Sequence, residues 1–294
     1  MTQNGIILKG IGGFYYVEAA GVLYECKARG VFRKQGITPT VGDFCTVTVQ
    51  EKGSAVIDSI EERRNNLVRP AISNLDKLFI VASSTVPQPN TLVLDRLTAL
   101  AVHNDIEPYM VFTKLDLGDM SAYRKIYESA KIRCIMADYE DGSFIDELKD
   151  LMKDCTSAFA GNSGVGKSTL INAIAPELTT ETGEVSEKLG RGRHTTRSVE
   201  LYTLPFGGRL ADTPGFSSFD IERGMNVKKD ELAACFPEFA DLTPECRFTS
   251  CSHTCEKGCA VVAAVKCGAV SRSRHESYKA LYEEAKSIKD WENK

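Results

Sequence analysis

The chain has 294 residues, of which 43% are hydrophobic and 26% charged, and its formal net charge is −4 at pH 7. This composition is typical of a globular protein and excludes a disordered or collagen-like chain. No apolar run approaches the roughly 18 residues that a bilayer span requires. The N-terminus lacks a basic segment followed by an apolar one, so we expect a cytoplasmic protein without a membrane partner. Because Lys and Arg are not in excess, a generally basic nucleic-acid coat is excluded.

Residues 1–66 predict a small all-β domain. Glycine pairs and single glycines separate five short runs that are rich in β-branched and aromatic residues. This pattern predicts a barrel. The strand count alone does not identify the barrel type, because an SH3-like barrel leaves nearly the same signature. The predicted strands are residues 6–8, 14–18, 22–27, 43–49 and 55–60.

A charged stretch, residues 61–66, is predicted to be a linker. Beyond it, residues 67–225 alternate strands and helices, which predicts βαβ units and a mostly parallel sheet. From residue 226 to 294 the chain is predicted to be helical, with a packing helix around 278–291. In the α/β region the predicted strands are 77–82, 109–113, 132–136 and 158–160 with a hairpin of 199–204 and 209–211, and the predicted helices are 91–103, 120–130, 144–152 and 167–175.

The strongest motif is a phosphate-binding loop between a predicted strand and a predicted helix. Residues 161–168 read Gly-Asn-Ser-Gly-Val-Gly-Lys-Ser and fit the P-loop pattern. Glycines let several backbone N–H groups face phosphate oxygens, and the helix N-terminus adds positive potential. We expect Lys167 to reach the β- and γ-phosphates and the Ser168 hydroxyl to coordinate Mg²⁺. The predicted nucleotide-binding residues here are Gly161, Asn162, Ser163, Gly164, Val165, Gly166, Lys167, Ser168 and Thr169.

A second motif, Asp212-Thr213-Pro214-Gly215, follows the predicted strand 209–211. An Asp at the carboxyl end of such a strand is placed to hold the Mg²⁺ shell, and the N–H of Gly215 can meet the γ-phosphate. In isolation the same residues are also typical of a β-turn. Beside a P-loop they predict Asp212 as a magnesium residue and Gly215 as a nucleotide-binding residue.

A third motif, Thr113-Lys114-Leu115-Asp116, follows the predicted strand ending near Phe112 and resembles the [NT]-K-x-D motif of P-loop GTPases. The Asp116 carboxylate would accept hydrogen bonds from the ring N–H and the exocyclic amine of guanine, which adenine does not offer. Lys114 would pack along the base. Alone, the motif is equally typical of a loop with solvated charges. With the P-loop, it predicts that the nucleotide is GTP or GDP.

Residues 190–197, Gly-Arg-Gly-Arg-His-Thr-Thr-Arg, lie between the P-loop and Asp212 and predict a mobile switch loop. The hydroxyl of Thr195 or Thr196 can close over Mg²⁺. Phe216 stands where Ras-like enzymes place the Gln that orients the attacking water. His194 is therefore the best candidate in the sequence for positioning that water.

Ten cysteines are present, and four of them lie close to His253 in one short stretch. In a cytoplasmic protein such clustering favours a metal site over disulfides. Three thiolates and one imidazole are the donor set of a closed, structural zinc site. Spacing alone leaves Cys255 as a fifth candidate. The pattern is Cys246-x4-Cys251-x-His253-x5-Cys259.

The order of the nucleotide motifs is unusual. In ordinary P-loop GTPases the guanine motif follows the other two, whereas here it precedes them. This order is that of a circularly permuted GTPase, in which the site survives because chain order does not alter where strand ends meet. With the R-G-R-H-T-T, D-T-P-G-F and C-x4-C-x-H-x5-C patterns, the chain resembles the small ribosomal subunit biogenesis GTPase A family (RsgA, also called YjeQ or YloQ) over essentially its whole length.

The resemblance implies a multidomain α/β protein with an OB-like N-terminal barrel, a permuted GTPase domain and a helical zinc-binding domain. It implies one structural Zn²⁺ per chain, and Mg²⁺ together with GTP. It also implies GTP hydrolysis that the small (30S) ribosomal subunit stimulates, and a role in late maturation of that subunit. The expected partners are therefore GTP or GDP and the small subunit with its rRNA, and we expect the chain to act as a monomer.

The resemblance also assigns residues. His194 matches the histidine implicated in catalysis, and Cys255 stands where the family has no ligand. One departure is Met136-Ala137-Asp138, where GTPases often have a Ser-Ala backbone contact to guanine, and Ala137 remains a candidate for that contact. The implied zinc ligands are Cys246, Cys251, His253 and Cys259.

The flanking modules are not strongly basic, so RNA contact would depend on local clusters. Two rival functions remain compatible with the motifs. A nucleotide-gated RNA-binding protein with negligible turnover is favoured by Phe216, and an ATPase acting on a metabolite is disfavoured by Asp116. The candidate basic clusters are Arg33-Lys34, Arg63-Arg64 and Arg272-Ser273-Arg274.

Overall fold

The computed structural model describes residues 1–50, 54–178, 199–212 and 227–287. The chain forms two compact units, each assembled from separate stretches. Unit 1 holds the N-terminal region and the strands that flank the P-loop helix, and unit 2 holds the guanine motif, the P-loop and the C-terminal region. Unit 1 is Met1–Lys77, Glu147–Phe159 and Ser168–Phe216, and unit 2 is Leu78–Asp146, Ala160–Lys167 and Ser217–Lys294.

The N-terminal part of unit 1 is a closed five-stranded barrel. Its strands follow the order β1-β2-β3-β5-β4, and β4 pairs with β1 to close the barrel. Buried apolar side chains such as Ile7, Val17 and Ile57 fill the interior. This is the five-stranded barrel expected of an OB-like fold. The elements are β1 Thr2–Ile11, β2 Phe14–Ala19, β3 Val22–Ala28, α1 Val31–Lys34, β4 Phe44–Val49 and β5 Ser54–Ile60.

Two features of the barrel differ from the prediction. The first strand is ten residues long rather than 6–8, because a register shift between Ile7 and Lys9 lets it bend and pair with more than one partner. The short helix α1 was not predicted, and its Phe32 is only 4% exposed, which anchors it to the barrel core.

The predicted linker, residues 61–66, has no regular secondary structure before Asn66, but it is hydrogen-bonded to the residues around it. Asn66–Val68 (β6) and Ala71–Ser73 (β7) form a hairpin directly after it. The buried Asn65 side chain donates to Leu75 O at 2.8 Å and accepts from Leu75 N at 2.9 Å. Asn74, at a left-handed φ of 55°, donates to Gly42 O at 2.9 Å. These side-chain hydrogen bonds take the place of the strand-to-strand hydrogen bonds that an irregular segment lacks. The bond from Asn74 to Gly42 O attaches this region to the barrel.

Unit 1 also contains three strands that lie beyond the barrel. Thr156–Ala160 (β11) runs parallel to Arg209–Asp212 (β13), and Glu200–Thr203 (β12) forms the predicted hairpin with β13. The outer edge of β12 pairs antiparallel with β1 of the barrel. The barrel and the strand that carries the second nucleotide motif are thus joined by a continuous run of paired strands.

Unit 2 begins with alternating strands and helices, as predicted. Its strands have the order β10-β9-β8, and β9 and β10 are parallel. The Asn90 side chain caps α2 by accepting from Leu92 N at 3.1 Å and Val93 N at 3.4 Å. The elements in chain order are β8 Lys77–Ser83, α2 Thr91–His103, β9 Glu107–Thr113, α3 Ser121–Ser129 and β10 Arg133–Met136. Two further helices, α4 Ser143–Met152 and, after the P-loop, α5 Lys167–Ile174, begin in unit 2 and continue into unit 1.

The C-terminal part of unit 2 is helical but less regular than predicted. Three short 3-10 turns, Leu232–Cys235, Pro237–Phe239 and Thr243–Glu245, precede the helices Ala260–Cys267 (α6) and Arg272–Ser287 (α7). The last helix begins at 272 rather than near 278. No helix among the described residues is long and apolar enough to cross a membrane.

This C-terminal part shares a core with the rest of unit 2. Phe236, Phe239 and Tyr278 pack in one buried cluster that also contains Ala99 of α2. The zinc-binding region is therefore packed onto α2 rather than attached by a flexible tether.

Candidate nucleotide and metal sites

The P-loop follows β11, whose five residues are all buried. Gly161 has φ +141°, and a Cβ atom there would lie 2.5 Å from the carbonyl oxygen of Val81, so only glycine fits. Lys167 Nζ donates to Gly161 O at 2.6 Å and to Asn162 O at 2.8 Å. Burial lowers the pKa of Lys167. The ammonium is thus held at the mouth of the loop, where phosphate oxygens can replace the carbonyls as its partners.

Thr113 of the guanine motif is bonded to this loop. Its hydroxyl donates to the carbonyl oxygen of Val165 at 2.6 Å, and its side chain is buried. A Cβ atom on Gly166, at φ +100°, would lie 3.5 Å from the same hydroxyl. Two motifs that are far apart in sequence are therefore in direct contact. Thr113 is placed to position the loop rather than to touch a base.

Lys114 and Asp116 follow Thr113 at the end of β9. Lys114 adopts a left-handed φ of 56°, and its Nζ donates to Val86 O at 3.0 Å. Asp116 is exposed, as a residue that accepts from a ligand must be. Ala137 differs from the expectation, because it is 1% exposed and its N–H donates to Phe112 O at 2.8 Å. The N–H that would contact guanine is thus already used within the sheet.

Asp212 ends β13 at the sheet edge where the parallel strand β11 also ends. Its direct partner on β12 is Glu200, whose carboxylate contacts Lys9 Nζ at 2.6 Å. Burial and the charge of Glu200 raise the pKa of Asp212. A carboxylate directly opposite a second one is in an environment that favours a bound cation. With the hydroxyl of Ser168, on the exposed first turn of α5, these oxygen donors fit the preference of Mg²⁺.

Several predicted residues lie outside the described part of the chain. Segments 179–198 and 213–226 contain the predicted switch loop and the residues after Asp212. Their assignments remain predictions. The residues concerned are His194, Thr195, Thr196, Gly215 and Phe216.

The predicted zinc ligands converge. Their four donor atoms all lie within 4.8 Å of one another. Cys246 Sγ is 3.5 Å from His253 Nδ1 and 3.9 Å from Cys259 Sγ, and Cys259 Sγ is 3.6 Å from His253 Nδ1. Tetrahedral Zn²⁺ with bonds of about 2.3 Å to sulfur and about 2.0 Å to nitrogen needs separations of about 3.5–3.8 Å. Cys251 completes the set within the same 4.8 Å, so these three thiols and one imidazole could hold a metal ion.

A carboxylate organises the loop that carries these ligands. Glu256 accepts from Ser252 N at 2.8 Å, from the Ser252 hydroxyl, from Thr254 N at 3.1 Å and from Cys255 N at 3.2 Å. Cys255 is exposed and does not belong to the ligand cluster. Glu256 could not be predicted from the sequence, because its role depends on the closed shape of the loop.

The backbone of the loop is bonded to helix α7. His275 Nε2 donates to His253 O at 2.7 Å, and the Tyr278 hydroxyl donates to Ser252 O at 2.8 Å. Burial lowers the pKa of His253, which favours the neutral imidazole that binds a metal. Such outer contacts fix the orientation of metal ligands.

Three of the basic residues proposed for RNA contact have partners inside the protein. Arg63 pairs with Asp43 at 2.7 Å and Arg64 with Asp76 at 2.5 Å. Arg274 is fully buried. Arg63 and Arg64 therefore belong to charge pairs, and Arg274 is not exposed for contact with RNA.

Arg274 is the centre of a buried ionic network. Its guanidinium donates to Glu238 at 2.8 and 3.1 Å, to Asp95 at 2.8 Å and to the Thr98 hydroxyl at 3.0 Å. Burial alone would lower the pKa of Arg274, but Asp95 and Glu238 raise it, so the side chain stays charged. Because Asp95 and Thr98 belong to α2, this network fastens the C-terminal part of unit 2 to α2.

Two family models together match most of the chain from residue 4 to residue 222. A family model described as the RsgA GTPase matches residues 60–222, and one described as the RsgA N-terminal domain matches residues 4–57. The small ribosomal subunit biogenesis GTPase RsgA of Alkaliphilus metalliredigens is 42% identical over 289 residues, covering 97% of this chain and 98% of that protein. The RsgA of Moorella thermoacetica is 44% identical over 278 residues, covering 94% and 95%.

Two solved structures are similar throughout. The crystal structure of YjeQ from Thermotoga maritima has a TM-score of 0.82 and 33% identity, covering 98% of this chain and all of that one. The crystal structure of YloQ, described as a circularly permuted GTPase, has a TM-score of 0.80 and 34% identity, covering 98% and 96%.

Proposed function

Because this chain belongs to the RsgA family of GTP-hydrolysing enzymes, whose role is in ribosome biogenesis, we propose that it is a Mg²⁺-dependent GTPase that binds the small ribosomal subunit. We propose further that it assists late maturation of the subunit in the cytoplasm, and that docking accelerates hydrolysis. The observation that carries the nucleotide part is the bond between Thr113 and Val165, which joins a guanine motif to a P-loop.

The nucleotide would be held both at its phosphates and at its base. Backbone N–H groups of the P-loop and the Lys167 ammonium would bind its phosphates. Asp116 would accept from guanine, while Lys114 would pack along the base. Thr113 would hold the P-loop and the guanine motif at a fixed separation, so that base and phosphate are recognised together.

Ser168 and Asp212 would hold the metal ion. When bound, Mg²⁺ neutralises charge that develops on the phosphates during transfer. Asp212 suits this role because it is a partly desolvated carboxylate that gains from a nearby cation. At the second, structural metal site, one Zn²⁺ would be held by Cys246, Cys251, His253 and Cys259. This ion would fix the loop between the 3-10 turns and α6.

Slow hydrolysis in the free protein would follow from the absence of a water-orienting Gln after the second motif, where Phe216 stands. His194, with Thr195 and Thr196 beside it, is proposed to supply that function from the switch loop. Docking on the subunit would bring the loop to the γ-phosphate, as a partner completes the site of other GTPases.

Phosphate release from GTP tests this proposal, measured with purified small subunits, with large subunits and with neither. We expect strong stimulation by small subunits alone. Equal rates of phosphate release under the three conditions would favour the second candidate, a nucleotide-gated binding protein with negligible turnover. Phe216, in place of a water-orienting Gln, is the feature that favours this candidate. Competition by ATP as effective as that by GTP would contradict the role of Asp116.

A further inference from the structure

An ionic row links the first strand of the barrel to the residue that ends β13. Lys9 on β1 lies directly opposite Glu200 on β12, and Glu200 lies directly opposite Asp212 on β13. Direct partners on antiparallel strands project their side chains from the same face of a sheet. The three side chains therefore form one row across three strands, all within unit 1.

The row contains two carboxylates and one ammonium. Lys9 Nζ contacts Glu200 Oε2 at 2.6 Å, and the two side chains are 20% and 30% exposed. Like charges directly opposite each other on neighbouring strands repel, so the pairing of Glu200 with Asp212 needs a compensating cation. Lys9 offsets only one of the two carboxylates. The remaining negative charge is concentrated at the end of the row that Asp212 occupies.

We propose that Lys9 and Glu200 are positioning residues for Asp212, and that through them the barrel sets the affinity of the nucleotide site for Mg²⁺. The inference rests on the proposed function for one assignment, that of Asp212 as a Mg²⁺ ligand. Glu200 adds negative potential at Asp212 and strengthens its attraction for a divalent cation. Lys9 withdraws part of that potential and holds the Glu200 carboxylate toward β1.

The consequence is a connection between the barrel and the nucleotide. Lys9 belongs to strand β1 of the barrel, while Glu200 and Asp212 belong to the hairpin of β12 and β13. An anionic partner of the barrel that competes for the Lys9 ammonium would release Glu200 and raise the Mg²⁺ affinity at Asp212. Coupling of this kind is reciprocal, so Mg²⁺ with nucleotide would alter the binding of that partner by the same factor.

Two single variants separate a charge effect from a structural one. Glu200→Gln removes the negative charge directly opposite Asp212 and leaves the Lys9 ammonium in the row, so the free Mg²⁺ needed for half-maximal retention of a fluorescent GDP analogue should rise about fivefold. Lys9→Met removes the ammonium of the row and leaves its two carboxylates, and the same concentration should fall by about the same factor. The double variant restores the net charge of the row and should return to within about twofold of the wild type.

Glu18→Gln is the matched control. Glu18 on β2 contacts Arg209 Nη2 and Thr203 Oγ1, each at 3.4 Å, so it also links the barrel to the hairpin, but it does not belong to the row. We expect its Mg²⁺ requirement to equal that of the wild type. If Lys9→Met does not fold, as judged by urea unfolding, Lys9→Gln removes the same charge and retains a donor for Glu200.

Asp212→Asn tests the assignment on which the inference rests, that of Asp212 as a Mg²⁺ ligand. If Asp212→Asn leaves the Mg²⁺ requirement unchanged, Asp212 is not a magnesium ligand and the proposed assignment fails together with this inference. If Asp212→Asn raises the requirement while Lys9→Met and Glu200→Gln shift it in the same direction or not at all, the inference alone is overturned. Opposite shifts that cancel in the double variant would establish it.

Discussion

The hydroxyl of Thr113 and the carbonyl oxygen of Val165 are 2.6 Å apart in a buried hydrogen bond. The two side chains are 1% and 3% exposed, so water cannot readily replace either partner. The bond fixes the distance between the loop that binds phosphate and the loop that reads the base. Loss of this one contact should therefore affect nucleotides in general, whereas loss of Asp116 should affect only the choice of base.

The first prediction concerns Thr113→Val, which removes the donor and keeps the shape of the side chain. A buried carbonyl left without its donor costs about 1–3 kcal/mol, so we expect GTP and GDP affinities to fall about tenfold together. Titration with fluorescent guanine nucleotides measures this. Thr113→Ser retains the hydroxyl and should bind almost as the wild type does. Wild-type affinity in Thr113→Val would show that the contact does not position the loop.

The second prediction concerns the base. Asp116→Asn should weaken GTP binding and relatively favour xanthosine nucleotides, since an amide offers one acceptor and one donor in place of two acceptors. Loss of a charged hydrogen-bond partner costs about 1.5–3 kcal/mol, or about ten- to hundredfold in affinity. Asp119→Asn is the control, because it removes the same charge from the same loop, where Asp119 caps Ser121. Unchanged discrimination between GTP and XTP would rule out Asp116 as the base reader.

The third prediction concerns His194→Ala. We expect GTP affinity to stay near that of the wild type while hydrolysis stimulated by small subunits falls about 10²–10⁴-fold, the usual contribution of a positioned acid–base group. Subunit binding with a non-hydrolysable GTP analogue is measured in parallel. If the variant no longer binds subunits but its basal hydrolysis is unchanged, His194 serves docking and not catalysis.

The sequence predicted the elements and motifs whose signals are local. The P-loop, the guanine motif and the zinc ligands depend on residue type at fixed spacing, and the structure brings Thr113 to the P-loop and the four zinc ligands to one another. The closed barrel also followed from the strand pattern. Its type did not, because strand order depends on long-range pairing between β1 and β4.

What the sequence could not reveal is decided by tertiary contacts. The stretch 61–66 looked like a linker because it is charged, yet Asn65 and Asn74 bond it to the backbone around it. Arg63 and Arg64 were candidates for RNA contact, and in the structure they pair with Asp43 and Asp76. Charge along a sequence does not indicate which charges are already paired in the fold.

The fourth prediction concerns zinc. We expect one zinc per chain in freshly purified, reduced protein, its loss in Cys246→Ser and its retention in Cys255→Ser. Because Ala99 of α2 belongs to the core of the C-terminal part, loss of zinc should also increase hydrogen exchange in α2. Metal analysis and hydrogen exchange by mass spectrometry measure both effects. Zinc-free wild-type protein, or zinc lost from Cys255→Ser as fully as from Cys246→Ser, would contradict the assignment of ligands.

The fifth prediction concerns the buried network around Arg274. Arg274→Met keeps most of the apolar stem but leaves Asp95 and Glu238 without their cation, and Asp95 is fully buried. Removing one partner of a buried ion pair typically costs about 3–5 kcal/mol. We expect the free energy of unfolding of unit 2 to fall by about that amount in urea. Arg272→Met is the matched control two residues away, since Arg272 is 85% exposed and pairs with Glu276 on the surface.

The loss of stability in Arg274→Met should also depend on pH. Burial already raises the pKa of Asp95, with Arg274 opposing that shift, so removal of Arg274 raises it further above the value in the unfolded chain. Between the unfolded value of about 4 and the higher folded value, the folded variant binds more protons than its unfolded chain, and its stability increases as the pH falls. The difference in the free energy of unfolding between Arg274→Met and the wild type should therefore become smaller as the pH falls between those two pKa values. Urea unfolding at pH 7.5 and pH 5.5 measures it, and an equal loss at both values would show that the cost of the variant is lost packing rather than unpaired charge.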